Sequence, residues 1–81
     1  MTSPILHLID LANRYCAATG KTRIAVSKRV FNDGKVLDNL ADGKDITVGR
    51  FERAMRWFSD NWPDHAEWPA HIDRPGDQKA A

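Results

Sequence analysis

The sequence predicts an all-α domain of four helices, on three observations. Apolar residues recur at helical spacing from Ile5 to Cys16. Gly20 stands four residues after the small Cys16 and six before the β-branched Val26, a spacing that suits two helices joined by a tight turn. A further apolar face begins after Thr47 and stops before Pro63. No stretch reads as a strand. None approaches the ~20 apolar residues that cross a bilayer. Eighty-one residues leave room for one domain.

Each element has a start and a stop. Ser3 caps the first helix and Pro4 suits its first position, so a helix is expected over 4–18. Its stripe is Ile5, Leu8, Ile9, Ala12, Tyr15 and Cys16, widened by Leu6 and Leu11. Gly20 ends it by taking a left-handed conformation. Thr22 caps a second helix to residue 31, with Ala25, Val26, Val30 and Phe31 inward. The Asn32-Asp33-Gly34 cluster is a turn. Asp33 then caps a third helix over 35–41, on Val36, Leu37 and Leu40. Thr47 caps a fourth to about residue 61, with Phe51, Ala54, Met55 and Phe58 on one face and Trp57 and Trp62 beside it. Pro63 stops it. The folded domain is placed at 1–62. Residues 63–81, with Pro63, Pro69 and Pro75 and no periodicity, read as a largely extended acidic tail. Trp68 is its exception, a ring for either the core or a partner.

Charge divides along the chain. Residues 1–59 hold ten Lys and Arg against six Asp and Glu, while residues 60–81 hold two against five. The first part has an electrostatic reason to approach a polyanion. No acid occurs over 11–32, where Arg14, Lys21, Arg23, Lys28 and Arg29 all lie. If Val26 faces inward, the second helix offers Thr22, Arg23, Ile24, Ser27 and Lys28 to solvent. Such a helix suits a DNA major groove. Arg and Lys donate to guanine, Ser and Thr bond either partner type, and Ile24 meets a thymine methyl. Lys21, Arg29, Lys35 and Lys44, with Arg14, are placed to hold phosphates.

Other chemistry finds little footing. His7, His65 and His71 are scattered, and one cysteine gives no metal-ligand set. Gly20-Lys21-Thr22 lacks the upstream glycine of a phosphate loop. No catalytic triad stands out, so neither enzyme activity nor a cofactor is expected. Cys16 has no disulfide partner, which fits a reducing cytoplasm, and no secretory signal opens the chain. The aromatics fit a core better than a platform for single-stranded bases. Part of that surplus, Phe58, Trp62 and their neighbours, is expected to form a homodimer interface. Arg50, Arg53 and Arg56 recur every three residues and read as a solvated edge, with contact to DNA backbone or a partner as the alternative.

Residues 4–61 resemble the helix-turn-helix of phage-repressor-like regulators, the Cro and repressor family. Cys16 falls on that family's alanine-like position, Gly20 on its turn glycine and Val26 on the buried aliphatic of the recognition helix. The loop 42–47 and the run ITVGRFERAMRWF look like its closing helices. RVFNDGK followed by ERAMRWFSDNWP is similar to small prophage-type regulators of α-proteobacteria. Two positions depart from the pattern. Lys21 stands where an apolar residue is usual, and Arg29 where an aliphatic is frequent. Either the helix is turned so that Val30 packs, or Arg29 reaches past the core to a phosphate. The resemblance implies a four-helix domain that binds double-stranded DNA sequence-specifically with 22–31 as reading helix, a dimer on a palindrome, and a bacterial nucleoid-associated transcriptional regulator. A DNA-bending excision factor and a protein-binding anti-activator or antitoxin are the alternatives.

Overall fold

The computed structural model describes residues 4–75. Its order is α1 (Pro4–Thr19), α2 (Arg23–Phe31), α3 (Val36–Ala41) and α4 (Val48–Asn61), with no strand among the described residues. The expected caps on Ser3 and the last six residues of the expected tail lie outside the described residues.

The stops and starts follow local chemistry. Gly20 takes φ +75°, and its N–H closes on the Cys16 carbonyl at 2.9 Å. Thr22 caps α2 by accepting the Ala25 N–H at 3.1 Å. Thr47 caps α4 in the same way through Arg50 N–H. Asn32 ends α2 at φ 60°, a conformation that asparagine tolerates better than most side chains. Asp33 differs from expectation. Its carboxylate accepts the Lys35 N–H at 2.9 Å and shapes the turn, and α3 begins after Lys35 without a side-chain cap.

α1 packs against the other three helices, and α2 against α3 and α4. The core gathers Leu8, Leu11, Ala12 and Tyr15 from α1, Val26 from α2, Val36, Leu37 and Leu40 from α3, and Ala54, Met55 and Phe58 from α4. Leu6 does not join the stripe and stays 54% exposed. No helix among the described residues is long and apolar enough to cross a membrane.

Residues 62–75 have no regular element, yet they return along the bundle. Ile72 is buried with the helical core. Two indoles clasp the return: Trp62 Nε1–H donates to the Ala66 carbonyl at 2.9 Å, and Trp68 Nε1–H to the Ile72 carbonyl at 2.7 Å. The two rings meet edge to face, 5.0 Å between centres. Arg74 lies over Trp68 and donates to the Ser59 carbonyl at 2.8 Å. His65 Nε2 reaches the Ala18 carbonyl at 2.9 Å, and His71 Nε2 lies 3.4 Å from Asp10 Oδ2. Trp68 is therefore committed to the fold. Turn-forming prolines and side-chain bonds to backbone hold this segment, and neither leaves a periodic pattern in sequence.

This return packs beside the aromatics expected at a dimer surface. Phe58 is fully buried and Trp62 is buried, inside a cluster with Tyr15, Trp57 and Trp68. The surplus aromatics are covered by their own chain.

Candidate nucleic-acid interface

The orientation of α2 decides what the chain offers to a partner. Val26 and Ser27 are buried and Val30 is half-buried, while Lys21, Ile24, Lys28, Arg29 and Asn32 are exposed. At 100° per residue the inward arc therefore runs through Val26, Ser27 and Val30. Of the two arrangements open in sequence, the helix is turned so that Val30 packs and Arg29 faces solvent.

Ser27 is the main correction to the expected reading face. It is 0% exposed. Its hydroxyl donates to the Asp33 carbonyl and accepts the Leu37 N–H at 3.2 Å. It thereby ties α2 to the turn and to the start of α3, and no base edge can reach it. Removing this hydroxyl strands two backbone groups. Ser27→Ala is expected to cost about 1–3 kcal/mol in denaturant unfolding. An unchanged unfolding midpoint would show that water replaces the hydroxyl without loss.

The other expected contacts divide into groups. Thr22 is exposed, with its oxygen already accepting the cap bond. Arg23 Nη1 lies 3.4 Å from Asp38 Oδ1 on α3, with the arginine side chain 41% exposed. A pair this exposed is worth about 0–1 kcal/mol and exchanges readily for another anion. Ile24 is 53% exposed. Ile24 and Lys28, one turn apart, both lie over Gly34, where an added Cβ would come within 3.0 Å of Ile24 Cγ2 and 3.3 Å of Lys28 Cε. The missing side chain at Gly34 lets the turn sit under that edge of α2. Lys35 and Lys44 are exposed. Arg14 belongs elsewhere. Its Nε is 3.1 Å from Asp10 Oδ1, and it lines a hollow with Glu67, Trp68 and His71 of the returning segment. That acidic setting does not suit a phosphate contact.

Among the described residues, Lys21, Lys28, Arg29 and Lys35 have no carboxylate within ion-pair distance. Their charge meets solvent uncompensated. Burial pushes the Cys16 thiol up from its ordinary value, and nearby Arg23 opposes this only in part. The thiol therefore stays protonated at neutral pH, as a small packing group between α1 and α2.

Sequence reasoning missed one participant and left a second, Arg50, without its packing role. Asp38 is the partner of Arg23, and only the packing of α3 on α2 brings them together. Arg50 sets its guanidinium carbon 5.8 Å from the Phe31 ring centre, which draws α4 to the end of α2. Comparison of the chain with protein-family models, curated proteins and solved structures finds no match.

Proposed function

We propose that the protein is a repressor-like helix-turn-helix regulator of transcription that binds double-stranded DNA sequence-specifically through α2. One observation carries the reading: the outward arc of α2 and the turn before it combine unpaired cations at Lys21, Lys28 and Arg29 with an exposed aliphatic at Ile24. Nine residues make a rod about 13 Å long. Its diameter with side chains, about 10–12 Å, fits a major groove about 12 Å wide. Buried Val26 and Ser27, the latter bonded to the Asp33 carbonyl and the Leu37 N–H, fix the rotation of α2 before any DNA arrives.

The roles follow from this orientation. Lys28 donates to guanine O6 or N7, and Ile24 beside it meets a thymine methyl. Arg23 reads a base by exchanging Asp38 for it, and Thr22 borders the groove. Lys21, Arg29, Lys35 and Lys44 neutralise phosphates and fix register. A dimer on a palindrome would set the two reading helices ~34 Å apart, joined through a surface other than Phe58 and Trp62. Placement on the bacterial nucleoid in the cytoplasm belongs to this same reading.

Selection from randomised duplexes with purified protein tests it. Enrichment of a defined site is the expected result. Absence of any retained duplex in dilute buffer would refute the reading.

A further inference from the structure

At the C-terminal end of α2 a small cleft of about 80 Å³ opens toward α4, lined by Val30, Phe31, Arg50 and Arg53. Its floor is aliphatic and aromatic, and its only charged lining is the two guanidinium groups. Arg50 is steadied over the Phe31 ring. Among the described residues neither Arg50 nor Arg53 has a carboxylate at ion-pair distance. Outside this cleft, Arg53 and Arg56 share a second hollow with Glu52, and Arg56 lines a third with Glu52 and Asp73. The cleft at Arg50 and Arg53 has no acid in its own lining, and it adjoins α2 beside exposed Arg29.

We propose that this cleft is a second DNA contact, in which Arg50 and Arg53 clamp a backbone phosphate of the duplex whose groove holds α2. The inference rests on the regulator reading above. Charge complementarity selects the occupant. Two forked donors in a cleft with no acid in its lining match the oxygens of a phosphodiester, which two guanidinium groups can hold together. The apolar floor keeps water from competing along one side. Two anchors, α2 in the groove and α4 on the backbone, also fix the angle at which α2 enters.

The test is a salt titration of DNA affinity for the full chain, on a selected site and on a mixed-sequence duplex. Each phosphate contact contributes about 0.9 to the slope of log affinity against log salt. Arg50→Gln with Arg53→Gln is expected to lower the slope by about one unit, the share of a single phosphate, and Arg53→Gln alone by a measurable part of that unit. Both losses should be equal on the two duplexes. Arg53→Lys, which keeps the charge, should hold the wild-type slope. Because Arg50 packs on Phe31, its loss can also destabilise the fold, so Arg53→Gln alone carries the decision. A wild-type slope for Arg53→Gln would overturn the clamp while leaving α2 as reader. Wild-type protein that binds neither duplex would overturn the regulator reading itself, and the clamp with it.

Discussion

Replacing Phe58 with alanine is expected to cost about 3–5 kcal/mol of folding free energy. The ring is fully buried and lies 5.7 Å from Tyr15, 5.3 Å from Trp57 and 6.4 Å from Trp62, centre to centre. Three rings on different parts of the chain cannot collapse together into the space it leaves. For a domain of this size the melting temperature should fall by about 15–30 °C. A chain of 81 residues holds only about 4–12 kcal/mol in total, so this one change approaches the limit of folding. The same experiment tests the burial of these aromatics within one chain. Wild-type melting should not depend on protein concentration through this cluster. A loss below 1 kcal/mol, or a melting point that climbs with concentration and ceases to do so in Phe58→Ala, would return the rings to a subunit interface.

Reversing the charges of Lys28 and Arg29 to glutamate should weaken DNA binding by about a hundredfold or more. Each lost base or phosphate contact is worth about 1–3 kcal/mol, and two new carboxylates add repulsion. Both side chains are exposed and neither has an ion-pair partner among the described residues, so folding stability should stay within about 0.5 kcal/mol of wild type. The two readouts together separate recognition from folding. Equal affinity in wild type and double variant would remove α2 from the interface. Single changes distinguish the two roles. Lys28→Ala should relax preference at one base pair, whereas Arg29→Ala should weaken all sequences alike.

The helices were legible because their signals are local. Apolar spacing, Thr22 and Thr47 as caps, Gly20 at positive φ and Pro63 as stop all act within a turn of the residues concerned. The rotation of α2 was legible only as a choice, because Arg29 and Val30 are adjacent and either could have faced the core. What resolves it is Ser27, whose polarity argues for solvent by itself. Its two partners lie six and ten residues further on, so its burial becomes visible only when α3 is in place. The returning segment was hidden for a related reason. Trp62 and Trp68 each bond a carbonyl four residues ahead without a helix between, and such clasps produce no period. Once that segment is seated, the aromatics that seemed to exceed one small core are used within it. The basic row on α4 was visible as a pattern. The cleft that Arg50 and Arg53 form with Val30 and Phe31 was not, nor was the approach of Asp73 to Arg56 from the returning segment.

The central claim concerns the outward arc of α2, and amide chemical-shift mapping with a selected duplex addresses it residue by residue. The account predicts the largest perturbations across 21–29 and at Lys35, smaller ones at Arg50 and Arg53, and quiet amides through Tyr15, Phe58 and Ile72. Perturbations centred on the returning segment, with 21–29 unmoved at saturation, would contradict it.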